Sequence, residues 1–97
     1  VILSINDAGA FGAVEALEGA GVPYDTVSIV SVDAEILAQR YIREGKYFRA
    51  TVEAGRTVYA SAAVEVMIKL LAGASIPEFI YIQPGELVTR ESLGDAP

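Results

Sequence analysis

The stretch from Val1 to Leu17, VILSINDAGAFGAVEAL, decides the fold. Val1 to Ile5 is a short apolar run without alternation, the pattern of a strand buried on both faces of a parallel sheet. Asn6 and Asp7 follow where the carboxyl end of that strand turns into a helix, and such turns are where open α/β sheets carry their ligand-binding side chains. The helix expected over Ala8 to Ala20 sets Phe11, Val14 and Leu17 on one face against Glu15 and Glu18. Gly21 stands where a left-handed cap ends it. Gly9 and Gly12, one turn apart, suit a close approach of this helix to the sheet.

Outward from this stretch, strand and helix alternate. Val27 to Val32 (VSIVSV) is β-branched and short, a second strand whose carboxyl end delivers Asp33. Ala34 to Glu44 is an amphipathic helix with Leu37, Ala38, Tyr41 and Ile42 inward, Glu35, Gln39 and Arg43 outward, and Gly45 as its stop. Tyr47 to Val52 (YFRATV) is a third strand ending at Glu53. Arg56 to Ala72 is the longest helix; its polar side is a narrow stripe of Thr57, Ser61, Glu65 and Lys69, so its apolar circumference needs more than one covering surface. Phe79 to Gln83 (FIYIQ) is expected as a fourth strand and Pro84 to Pro97 as a polar, turn-like tail. The order β-α-β-α-β-α-β with short connections predicts an α/β fold built on a doubly wound parallel sheet.

Composition narrows the chemistry. The 97 residues are 53% hydrophobic and 21% charged, the balance of a single packed domain. Seven basic against thirteen acidic residues leave a net charge of −6, which argues against a nucleic-acid partner. With neither Cys nor His, thiolate nucleophiles, disulfides, imidazole bases and the usual zinc ligands are absent together. No window of about 18 apolar residues offers a membrane span, and no basic leader precedes the first strand. A chain opening inside a strand reads as a piece of something longer.

The residues at the strand ends fit a polar, uncharged ligand. Asn6 offers donors and an acceptor, Asp33 accepts from two neighbouring hydroxyls, and vicinal hydroxyls of a sugar match the pair without metal, cofactor or nucleophile. Asp7, opening the helix, is expected to be its N-cap, with Asn6 before the cap and free for ligand. Asp33 is an even choice between capping the next helix and contacting ligand.

The series Ile5-Asn6-Asp7, Gly12-Ala13, Glu15-Ala16-Leu17, Val32-Asp33, Ile42-Arg43-Glu44-Gly45-Lys46, Ala50-Thr51-Val52, Ile68-Lys69-Leu70-Leu71-Ala72-Gly73 and Leu87-Val88-Thr89-Arg90-Glu91 resembles, in order and spacing, the C-terminal part of a sugar-type periplasmic solute-binding protein. These are the receptors of ABC-type importers, and the effector core of lac-type repressors shares their type I fold. The resemblance implies a non-enzymatic binder held between two lobes, the first of them missing here, with Asn6 and Asp33 on the sugar. It also implies a membrane permease as partner and a periplasmic or extracellular location reached by a signal that this chain does not carry. Residues 1–83 would form the lobe segment with a hinge crossing near 52–56, and 84–97 the tail. The family's Gln near the end of the third strand is Ala54 here and its Pro is Arg56, so Glu53 or Arg56 is expected to supply the third polar contact, an arginine favouring an anionic group. Two other readings stand beside this one. A repressor core would need a basic helix-turn-helix upstream, and a receiver-like domain would use Asp7 and Asp33 for Mg²⁺ and a phosphoryl group. In the chain by itself, the open side of the long helix is expected to promote a homodimer.

Overall fold

Three apolar runs become parallel strands joined by two helices, as a computed structural model shows for residues 1–83 and 85–94. The elements are β1 (Ile2–Leu3), α1 (Asp7–Gly19), β2 (Ile29–Val32), α2 (Ile36–Glu44), β3 (Phe48–Val52), α3 (Arg56–Leu71), β4 (Leu87–Thr89) and α4 (Arg90–Leu93). The sheet order is β1-β2-β3-β4; β1, β2 and β3 run parallel, and β4 pairs antiparallel to β3. Each expected helix stop holds: Gly21, Gly45 and Gly73 take φ of 71°, 74° and 77°, where a side chain would be strained.

The core lies on one face of the sheet. Ala10 and Val14 of α1, Ala38 and Ile42 of α2, Ile29 of β2 and Phe48 of β3 form one buried cluster with Tyr47. Fully burying side chains such as Val14, Ile29, Ile42 and Phe48 stabilises the fold by about 1.5–3 kcal/mol each. Phe11 of α1 meets Tyr41 of α2 edge to face at 5.8 Å between ring centroids, so the two helices lie side by side. The α/β class and the mostly parallel sheet are as expected, but the winding differs. Double winding needs the strand order to reverse, and among the described residues it advances in one direction with both helices on one face. The opposite face is correspondingly open: Leu3 is 81% exposed, Leu87 58% and Val32 37%. The first strand is therefore covered on one side only.

A register shift in the β2–β3 ladder has consequences for the site. Ile29 pairs with Phe48 but Val30 with Ala50, so Arg49 is an extra residue, a bulge. Strict alternation would set Phe48 and Thr51 on opposite faces. The bulge returns both to the helix side, where Phe48 is 1% and Thr51 0% exposed. The turn entering β3 is also unusual, since Tyr47 holds φ of 61° while fully buried and donates its phenolic hydrogen to the Val22 carbonyl. Burial pushes that phenol above its ordinary pKa.

Two expected elements fall elsewhere. Phe79 to Gln83 joins no ladder among the described residues; the fourth strand is Leu87–Thr89, from the stretch read as a turn-like tail. Thr89 then caps α4 reciprocally with Ser92, each side chain serving the other's backbone amide. Residues 84 and 95–97 of the expected tail lie outside the described residues. The FIYIQ run instead follows α3 back toward the sheet, with Ile80 and Ile82 beside Tyr59, Ala62 and Val66. No residue of α3 is buried. The result is an arm standing off the sheet layer, and the molecule measures 57 × 27 × 16 Å.

Candidate ligand-binding site

The carboxyl ends of parallel strands point the same way, so the residues after β2 and β3 emerge on one rim. There Asp33, Ala34, Gln39, Glu53, Arg56, Thr57 and Val88 line a polar cavity of about 380 Å³. Asp33 is half-buried, whereas Glu53 and Arg56 are exposed. Backbone bonds hold the rim in place: the Asp33 amide donates to the Val52 carbonyl at 2.8 Å and the Glu53 amide to Glu86 at 3.0 Å. The Arg56 guanidinium reaches back to the Asp33 carbonyl at 3.2 Å, tying the start of α3 to the end of β2. Among the described residues neither the Asp33 nor the Glu53 carboxylate enters an ion pair. Gly85 packs so close to Glu53 that an added Cβ would lie 2.7 Å from the Glu53 Cβ, which fixes where the Glu53 side chain starts.

The turn that presents Asp33 is strained. Asp33 has φ of 129° and Ala34 φ of 57°, two consecutive non-glycine residues in a region L side chains avoid. Such strain persists only where surrounding bonds over-determine it, and it concentrates at functional sites. Asp33 does not cap α2; the N-cap position is Glu35, with no side-chain cap bond.

Asp7 and Asn6 exchange the roles expected of them. The N-cap of α1 is Asn6, whose Oδ1 accepts the Gly9 amide at 2.8 Å. Gly9 gives room there, since a Cβ would lie 3.3 Å from that oxygen and 3.0 Å from Ser4 Oγ, so both side chains would have to shift slightly; Gly12 has nothing within 4 Å and supports no close approach. Asp7 is fully buried one residue inside the helix. Its Oδ1 accepts the Ser31 hydroxyl and the Thr51 hydroxyl, the latter at 2.7 Å, and its Oδ2 accepts the Glu35 amide at 2.8 Å. Ser31 and Thr51 are direct partners in the β2–β3 ladder, so one carboxylate joins α1, two strands and the approach to α2. With those acceptors occupied, Asp7 is not free to pair with Asp33 around a phosphoryl group, the arrangement that the receiver-like reading required.

Of the four residues anticipated from sequence, the fold brings Asp33, Glu53 and Arg56 around one cavity. Asn6 stands one strand away and does not line it, its carbonyl oxygen committed to the cap. Gln39 was read as outward-facing; it lines the cavity and donates to the Ala34 carbonyl at 2.9 Å. Its position on the first turn of the helix after Asp33 was the signal available for it. The larger concavity, about 600 Å³ along Ala60, Val64 and Ile68, is the open apolar flank of α3. Its polar chemistry is the Glu65–Lys69 pair at 3.2 Å and Ser61.

Comparison with known proteins places this geometry in context. No protein-family model matches the chain. A rhizopine-binding protein, so named, of Rhizobium meliloti is 32% identical over 98 residues, which is 97% of this chain and 30% of that protein. The periplasmic binding component of an arabinose ABC transporter from Shewanella sp. ANA-3, solved with arabinofuranose, is 30% identical over 93% of this chain and 30% of its own, with a TM-score of 0.74. A glucose-galactose binding protein, GanP, from Geobacillus stearothermophilus shares the fold at a TM-score of 0.75 and 21% identity, over 94% of this chain and 31% of its own. The chain thus spans about a third of the length of the relatives it matches. By fold, and by sequence over nearly all of its length, this chain is similar to about a third of a sugar-type periplasmic binding protein.

Proposed function

We propose that this chain supplies one wall of a sugar-binding site in a solute-binding protein that serves an ABC-type importer. The observation that carries it is the polar cavity at the carboxyl ends of β2 and β3, where, among the described residues, the Asp33 and Glu53 carboxylates stand without ion partners beside Arg56 and Gln39. Carboxylates and amides in such a cleft accept and donate to the hydroxyls of a neutral polyol. The relatives named for rhizopine, arabinose and glucose-galactose support this ligand class. In this reading Asn6 offers its amide nitrogen from the neighbouring strand end, and the longer protein works in the periplasm or outside the cell with a membrane permease as partner. Residues 52–56 form the crossing between two lobes, and the α3 arm lies on the first lobe's side. That place explains why α3 has no buried residue: the surface it is shaped for belongs to the other lobe.

One wall excludes little water, so the affinity of this chain alone is expected at about 1 mM or weaker, equivalent to about 4 kcal/mol of binding free energy. Titration of ¹⁵N-labelled chain with L-arabinose, D-galactose and D-glucose tests the assignment. Shifts confined to Asp33, Gln39, Glu53 and Arg56, and reached only at roughly tenfold higher sugar in Asp33→Ala, are expected; saturation with shifts centred on α3 would reject it. In isolation we further propose that two copies cover their α3 flanks against each other. Sedimentation should show a dimer that Ile68→Glu converts to monomer, and a monomeric parent at high micromolar concentration would sink this part.

A further inference from the structure

We infer that Asp7 is a positioning residue for the ligand-facing turn, acting through Thr51 and the Glu35 amide to aim Asp33 into the cavity; this rests on the proposed sugar site. Asp7 is fully buried, which rules out direct contact with a solute on the rim. What it touches leads there by two routes. Its Oδ2 accepts the Glu35 amide at 2.8 Å, pinning the residue that follows the strained pair Asp33–Ala34. Its Oδ1 accepts the Thr51 hydroxyl at 2.7 Å, and the same Thr51 oxygen accepts the Ala34 amide at 3.1 Å. With the Asp33 amide on the Val52 carbonyl, three consecutive amides of the turn are fixed, two of them by side chains belonging to this buried group. A turn with φ of 129° and 57° at Asp and Ala relaxes unless its amides are held. The third ligand of Asp7, the Ser31 hydroxyl, makes no bond to the turn. Thr51 and Ser31 therefore serve the same carboxylate, but Thr51 alone passes its orientation on to Ala34.

That asymmetry supplies the test. Amide hydrogen exchange separates a local opening of the turn from a general loss of stability. In the full 97-residue chain, Thr51→Val and Asp7→Asn should raise exchange at Ala34 and Glu35 by about tenfold or more relative to Ile29, whose amide is held by the Tyr47 carbonyl. Ser31→Ala should shift all amides together, and Thr51→Ser, which keeps the hydroxyl, should restore the parent pattern. Uniform acceleration in every variant, or unchanged protection at Ala34 and Glu35 in Thr51→Val, would overturn the inference. If Asp7→Asn fails to fold, the Thr51→Val and Thr51→Ser pair still decides. A second arm uses L-arabinose: Thr51→Val should weaken binding by about three- to tenfold in the parent but less than about twofold in an Asp33→Ala background, where the aimed group is gone. Equal losses in both backgrounds would mean that Thr51 acts elsewhere. Absence of any arabinose, galactose or glucose binding would reject the sugar reading while the exchange result still settles the turn.

Discussion

The sheet layer and the α3 arm use similar residues to opposite ends. In the layer, Ala10, Val14, Ala38 and Ile42 are at most 2% exposed because α1 and α2 lie against β2 and β3. On the arm, Val64, Met67 and Ile68 are about 60% exposed along a helix just as regular. Apolar character alone therefore does not bury a residue; a facing surface does, and among the described residues α1 and α2 have one where α3 has not. The α3 helix stands on local terms instead, with an Ala-rich interior, the Glu65–Lys69 pair and a left-handed Gly73 beyond its end. A helix of this length is marginal in water by itself even when made of good formers, and α3 carries the β-branched Thr57, Val58, Val64, Val66 and Ile68, which is the physical reason to expect a covering partner.

Substitutions sharpen that contrast. The largest effect is expected from Phe48→Ala, about 3–5 kcal/mol of stability by urea titration, because the cavity opens between two helices and a strand. Ile68→Ala, also a large-to-small change, should stay within about 0.5 kcal/mol in a monomeric background. Comparable losses at the two positions would show that the arm is packed in solution and break the comparison. Next comes Asp7→Ala, expected to cost about 3 kcal/mol by strand- and helix-sensitive circular dichroism, since it leaves the Ser31 and Thr51 hydroxyls and the Glu35 amide to find other partners. A cost no greater than that of a lost cap would mean that water replaces the carboxylate. The smallest of the set is Asn6→Ala, about 1 kcal/mol, the ordinary worth of a helix N-cap; Asn6→Ser should recover most of it. Full stability in Asn6→Ala would return that side chain to ligand duty alone.

The ends of β2 and β3 were legible in the sequence, and with them the places of Asp33, Glu53 and Arg56 on one rim. A β-branched run bounded by turn residues dictates where a strand stops, and parallel order sends every stop to the same rim. The exchange of roles between Asn6 and Asp7 was not legible. Both are good caps, and the choice turned on Ser31 and Thr51, hydroxyls 24 and 44 residues away that make a buried place for one carboxylate. Gln39 escaped notice for a similar reason, since its polarity fits solvent until the α2 start is set beside the rim.

Local chemistry in the sequence determined the α/β alternation, the glycine stops at 21, 45 and 73, the Glu65–Lys69 pair and the polar rim. Each depends on neighbours within one or two turns, or on the period of a single element. The bulge at Arg49, the burial of Asp7, the antiparallel β4 drawn from an apparently turn-like stretch and the one-faced core were decided by tertiary structure. Each is set by what packs across the chain: Thr51 reaches the helix side only once Ile29 and Phe48 have paired, and Leu87–Thr89 becomes a strand only beside the free edge of β3. Pairing of that kind is a free energy between distant segments, and no single window of sequence contains both partners.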